Sequence, residues 1–380
     1  MTQPRRFRAP AAAWPFITGI WLGLLLLPFK GVAAAAVLAA ATPVALITFS
    51  SLSARMKTLT ASLSSSFNRI DSLIPRDRRS AAVVLAVLAA FPLWAHDYLI
   101  DVAVLAGIYV ILSLGLNVVV GFTGLLSLGF VAFYAIGAYS YALLNTRLGL
   151  GFWTAMPVSV AFAAGSGFVL GFPALRLKGD YLAIVTLGFG EIVRLVLNNW
   201  DSFTRGPNGI SGIAPPGMGP LSVSTLSSYY YFVLAFVCIT VFLMRRIRAS
   251  RIGRAWFALR EDEIASAAMG INATLYKLYA FAFGAFWAGL AGTLFSAKMQ
   301  FVSPESFTFM ESVFILCMVI LGGLGSIPGV VIGALILVLL PEMLREVQMY
   351  RMLALGCGLV ILMIFRPQGL FGGKHASLGR

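Results

Sequence analysis

The sequence predicts an all-α fold: a polytopic transmembrane helix bundle of about 10–12 spans, with Gly-rich broken or re-entrant segments. Three observations carry this. Of 380 residues, 59% are hydrophobic and only 11% are charged; soluble domains run at roughly 45–50% and about 25%. The apolar residues come in runs close to the roughly 20 residues that a spanning helix needs. Lys and Arg gather in alternate connections between those runs, as in membrane proteins.

The first run, 14–29, follows Arg5, Arg6 and Arg8, as in a secretory signal. No small-x-small site ends it, so an uncleaved first helix is expected. With the run 31–50 it makes an N-terminal hairpin, residues 1–51. Residues 52–80 are Ser-rich and basic, with Pro75, Arg76, Asp77, Arg78 and Arg79. They read as a cytoplasmic linker. The core, 81–370, holds runs at 81–97, 101–120, 124–145, 152–175, 181–199, 229–244, 276–297, 309–323, 328–343 and 351–366. Residues 371–380 are a cytoplasmic tail. The pair 309–323 and 328–343 is short and joined by few residues, which suits two half-helices.

Charge orients the bundle. If the N-terminus is cytoplasmic and every run crosses, 21 of the 28 Lys and Arg fall inside and six outside, with Arg194 in a span. Cytoplasmic connections hold such an excess, so the net charge of +14 calls for no nucleic acid. The Cys residues 238, 317 and 357 lie in apolar runs, and His96 and His375 are far apart. No metal site or catalytic cluster is expected. Gly372, Gly373 and Lys374 lack the Ser or Thr of a phosphate-binding loop, so no ATP site is expected in this chain.

Two stretches put glycine where helices would run on. One contains Asn117, Gly121, Thr123, Gly124, Ser127 and Gly129; the other contains Gly322, Gly323, Gly325, Pro328 and Gly329. Irregular backbone at membrane depth is tolerated only where it is buried in protein or lines a watery cavity. Paired breaks in two halves of a chain point to a transport path; tight turns and close helix packing are the alternative. Glu191 and Arg194 are spaced i, i+3 in the span 181–199 and are expected to pair, facing the bundle interior. Glu311 opens a run and is expected at the membrane interface.

The connection 245–277 is strongly basic. Within it Glu261, Asp262 and Glu263 precede an Ala-rich run that ends at Gly270. Acids in a first turn and a terminal Gly predict a short helix with Ile264, Ala267 and Ala268 on one face. Such an element can dock into a partner's groove. The connection 200–228 carries the turn signals Asn208-Gly209 and Pro215-Pro216-Gly217 and reads as an outer loop.

These residues resemble a known family. Glu263 through Ala265, Ala267 and Ala268 to Gly270 is similar to the coupling loop of bacterial ABC importer permeases, with Ile264 in place of the usual Ala. Residues 116–144, 176–200, 206–213, 253–272, 319–337 and 365–372 resemble the LivM-type permease of branched-chain amino acid importers. Arg205 stands where that pattern has a small residue. The resemblance implies a subunit in the bacterial inner membrane, among its lipids. Its partners would be a homologous LivH-type permease, two cytoplasmic ATPases that carry ATP and Mg, and a periplasmic binding protein. It implies an ATPase contact at Arg260, Glu261, Asp262, Glu263, Ile264, Ala265, Ala267, Ala268 and Gly270. A pathway or hinge would use Asn117, Gly121, Gly124, Ser127, Gly129, Gly188, Gly190, Glu191, Arg194, Gly322, Gly323 and Gly325. Arg205, Gly206, Pro207, Asn208 and Gly209 would face the binding protein. Leu, Ile and Val are the implied solutes, with urea, amides and aromatic acids left open. A secondary transporter driven by an ion gradient would show similar spans and breaks, but it leaves the coupling-like loop unexplained and finds no chain of ionisable residues.

Overall fold

A computed structural model describes residues 85–174, 177, 179–218, 221–222, 225–343, 356 and 369–370. The chain divides into Met1–Ser80 and Ala81–Arg380, and the described residues belong to the second unit. The expected spans 14–29 and 31–50, the linker 52–80, the tail 371–380 and all but one residue of 351–366 lie outside them.

Among the described residues the unit is helical, with four strands of two residues each. Helix α1, Asp97–Leu116, passes straight into a π-helical turn, Asn117–Phe122. An irregular stretch leads to α2, Val131–Leu148, which stops at Gly149 in the left-handed conformation. Then follow α3, Phe152–Ala174, and α4, Asp180–Asn199. Beyond a folded loop come α5, Leu226–Ala249, α6, Arg251–Glu261, and α7, Glu263–Ala268. The long α8, Ala273–Met299, precedes α9, Phe309–Gly322, and α10, Ile327–Met343.

Four of these are long and apolar enough to cross a bilayer: Asp97–Phe122, Phe152–Pro173, Leu226–Ala249 and Ala273–Met299. Helix α4 carries Asp180, Glu191 and Arg194, which lowers its mean hydropathy. At 1.5 Å per residue the 14 residues of α9 reach about 21 Å, short of the roughly 30 Å hydrocarbon core.

Helix α8 is the hub, packed on α1, α2 and α3. Small residues let it be one. A Cβ on Gly289 would lie 2.4 Å from the Cβ of Ala163, one on Gly137 would lie 2.4 Å from Gly289 Cα, and one on Gly292 would lie 2.3 Å from the carbonyl oxygen of Tyr134. In lipid there is little hydrophobic drive between helices, so such close backbone approach supplies the packing.

The connections fall into two groups. The loop after α4 pairs Ile210–Ser211 antiparallel with Phe301–Val302 after α8. It also accepts from Tyr141 at Ala214 O and from Arg147 at Ser202 O, both on the C-terminal half of α2. These contacts set the ends of α2, α4 and α8 beside one another. At the opposite end of the spans, Lys277 in the first turns of α8 pairs with Glu263, and Arg260 reaches the end of α1.

Candidate functional site

The site grows from the end of α1. Three β-branched residues, Val118, Val119 and Val120, lead to Gly121, and here the helix widens: Thr123 N–H donates to Val118 O, five residues back. Thr123 Oγ1 also donates to Val119 O at 2.6 Å. Such π-turns interrupt a helix where its backbone is needed for something else. Here it is needed by the second break. Asn117 Oδ1 accepts from Gly325 N–H at 2.9 Å, across 208 residues of sequence. Gly121 must be glycine, since a Cβ would lie 2.0 Å from Asn117 Oδ1 and 2.6 Å from Gly325 N. Gly323 and Gly325 hold φ of +107° and +83°, which L side chains rarely adopt.

Arg260, at the end of α6, closes the junction. Its Nη1 donates to Gly121 O at 2.6 Å and lies 3.2 Å from the position of a Gly325 Cβ; its Cγ covers Gly124. Phe257, one turn earlier, packs against Phe122 with the rings tilted and their centroids 5.1 Å apart. The structure thus brings together Asn117, Gly121, Gly124, Gly325 and Arg260, drawn from three separate stretches of sequence. Gly322 packs on α10, where a Cβ would lie 2.4 Å from Gly329 O.

The remaining residues of the first break serve a different contact. A Cβ on Gly129 would fall 1.7 Å from Thr186 O, and Gly190 sits directly against Gly129 Cα. Thr186 Oγ1 accepts from Leu128 N–H at 3.0 Å. Ser127 is buried, and among the described residues its Oγ and Asn117 Nδ2 have no partner. Gly188 has nothing within 4 Å, so close packing does not explain it.

Glu191 and Arg194 pair at 2.9 Å, but both side chains are 32% exposed. The expectation of a fully interior pair is corrected. Helix α4 buries Leu182, Ala183, Thr186 and Gly190, and the pair lies beside that stripe, at the edge of the chain. Glu311 is corrected in the other direction. Tyr109 OH donates to its carboxylate, and Tyr109 lies at the midpoint of the span Asp97–Phe122. The helix that Glu311 opens begins at mid-span, because α9 is a half-length helix.

The coupling-like loop is built by caps. Ser250 caps α6 by accepting from Gly253 N–H, and Trp256 Nε1 ties α6 to Tyr276 O at 2.8 Å. Asp262 breaks the chain and caps α7, its Oδ1 accepting from Ile264 and Ala265 N–H at 2.8 and 3.0 Å. Arg260 and Glu261 therefore end α6 and do not belong to the short helix. Gly270, at φ +87°, stops α7, with Ile271 N–H donating to Ser266 O. The outward face is apolar: Ile264 is 77% and Met269 84% exposed, with Ala265, Ala267 and Ala268 also open. Lys277 Nζ, on α8, holds Glu263 Oε1 at 2.7 Å.

The loop 205–209 lies at the far end of the spans and touches none of these groups. Arg205 takes the left-handed φ of +61°. Gly206 and Gly209 are pressed against Asp201 Oδ1 and Val302 O, where a Cβ would lie at 2.0 and 2.3 Å. Among the described residues, no three His, Cys, Asp or Glu side chains gather as a metal site would need.

Residues 98–365 match the family model described as branched-chain amino acid transport system / permease component. The chain belongs to that family. It is the permease component of ABC importers, a multi-pass protein of the bacterial inner membrane. This permease is 48% identical to the high-affinity branched-chain amino acid transport system permease protein LivM of Escherichia coli K12, over 79% of its length and 76% of that protein. The LivM protein of Salmonella typhimurium matches at 47% over the same shares. The LivH permease protein of E. coli K12 is 26% identical over 70% of this permease and 92% of its own length. No solved structure matches the permease.

Sequence reading missed the α8 glycines, although Ala285/Gly289 and Ala288/Gly292 repeat small residues at i, i+4. It missed Tyr109 as the partner of Glu311, for which no local signal exists.

Proposed function

We propose that this chain is the LivM-type subunit of a five-part importer that passes branched-chain amino acids into the cytoplasm. It would pair with a LivH-type permease, receive solute from a periplasmic binding protein at the loop 205–209, and bear two cytoplasmic ATPases. ATP and Mg would act on those ATPases, with no ATP site in this chain. The side carrying α6 and α7 would be cytoplasmic, as would both termini, because the topology with every run crossing then puts 21 Lys and Arg inside against six outside.

One observation carries the reading. The exposed apolar tip Ile264–Met269 is rigidly capped, and through Arg260 it is bonded to the point where both glycine breaks meet. A force on the tip reaches the broken helices through two or three hydrogen bonds. That is what an ATP-driven permease requires and a gradient-driven transporter does not. The test is uptake of labelled Leu, Ile or Val by cells expressing the complex. Uptake that ends on ATP depletion, with the ion gradients clamped, supports the importer. Uptake that follows the gradient refutes it.

A further inference from the structure

We propose that Glu311 receives the ammonium group of the transported amino acid near the middle of the membrane; this rests on the amino-acid importer reading above. The depth follows from Tyr109. It is the thirteenth residue of the 26-residue span Asp97–Phe122, about 18 Å from the span's start at 1.5 Å per residue. Its hydroxyl donates to Glu311 Oε1. The carboxylate therefore sits at mid-span, on the first turn of α9.

Among the described residues no Lys, Arg or His forms an ion pair with it; Arg194 pairs with Glu191, Lys277 with Glu263 and Lys298 with Asp101. The second oxygen of Glu311 has no hydrogen-bond partner among those residues. The side chain is half-buried, and Met310 beside it is 70% exposed. Glu311 is thus neither sealed in the core nor fully open. A carboxylate facing lipid at this depth is costly, and such groups mark solute pathways. The α9 N-terminus lowers the cost of holding the negative charge without a built-in partner.

The chemistry selects the ligand. One open carboxylate oxygen, with the rings of Tyr109 and Phe314 edge-to-face at 5.8 Å beside it, suits a compact primary ammonium with three donors. An α-amino acid offers that group. Urea and simple amides are neutral and do not repay a naked mid-membrane charge. The inference therefore narrows the solute class to zwitterions.

The test separates charge from bond. Glu311→Gln keeps an acceptor for Tyr109 and removes the charge. Tyr109→Phe removes the bond and keeps the charge. Glu311→Asp keeps the charge on a shorter arm. Each is reconstituted in vesicles as the complete complex with its binding protein, and ATP-driven leucine uptake and ATP hydrolysis are measured together. Expected is a loss of uptake of about tenfold or more in Glu311→Gln, with hydrolysis retained. Tyr109→Phe should lose less uptake than Glu311→Gln, and Glu311→Asp should exceed Glu311→Gln. Near-normal uptake in Glu311→Gln overturns the proposal. So does a loss in Tyr109→Phe or Glu311→Asp that matches that of Glu311→Gln, since the residue would then be a structural bond. A wild-type complex that moves no branched-chain amino acid overturns the importer reading itself, and this inference with it.

Discussion

Two glycines of α4 and the preceding break look alike in sequence and differ in cause. Gly129 stands where a Cβ would fall 1.7 Å from the backbone oxygen of Thr186. Backbone cannot step aside, so Gly129→Ala is expected to cost about 1–3 kcal/mol by overpacking. Gly188 meets nothing within 4 Å and lies within a helix. There Gly→Ala removes chain freedom from the unfolded state and is expected to be neutral or to stabilise by about 0.5–1 kcal/mol. Thermal unfolding of the detergent-solubilised permease distinguishes the two: a lower midpoint for Gly129→Ala and an unchanged or higher one for Gly188→Ala. The same midpoint for both would mean that α4 does not press on the break. Sequence singled out both glycines equally, because whether a glycine faces a neighbour is set by a segment some 60 residues away. Asn117 was legible as a polar residue inside an apolar run. Its partner was not, since Gly325 is distant in the chain.

At the scale of elements, local chemistry was readable and long-range assembly was not. The short helix and its stop at Gly270 were legible from sequence alone, because left-handed stops act within a few residues; that Asp262 is its cap is what the structure adds. The expectation that Glu261 and Asp262 open the same helix failed on one residue: Asp262 takes φ −155° and ends α6 there, leaving Glu261 on α6. Asp262→Ala removes two capping bonds and should destabilise α7 by about 0.5–2 kcal/mol. Gly270→Pro forces φ to about −65° where +87° is needed. Both should lower leucine uptake per ATP hydrolysed while the complex still assembles. Arg260→Ala leaves α7 intact and cuts its bond to Gly121 O. It should uncouple hydrolysis from uptake at least as strongly as Asp262→Ala. Full coupling in Arg260→Ala would mean that force travels through the Phe257–Phe122 contact or through Lys277 instead.

For the whole molecule, the two groups of connections make a prediction about sidedness. The antiparallel pairing of Ile210–Ser211 with Phe301–Val302 places the 200–225 and 300–308 loops on one side. The Lys277–Glu263 pair and the Arg260–Gly121 bond place α6, α7 and the end of α1 on the other. Between Ser202 and Met269 runs one long apolar helix, Leu226–Ala249, whose 24 residues reach about 36 Å and cross a hydrocarbon core of roughly 30 Å. Basic residues crowd the α6 side: Arg245, Arg246, Arg248, Arg251, Arg254 and Arg260. The positive-inside rule therefore predicts that side to be cytoplasmic. Single cysteines at Ser202 and Met269, both exposed, would therefore answer a membrane-impermeant maleimide differently. In spheroplasts Ser202→Cys should label at once, and Met269→Cys only after permeabilisation. The reverse pattern would invert the bundle and turn α7 away from any cytoplasmic ATPase. Labelling of both from one side would mean that Leu226–Ala249 does not cross, and the path from the ATPase contact to the glycine crossing would lose its membrane-spanning frame.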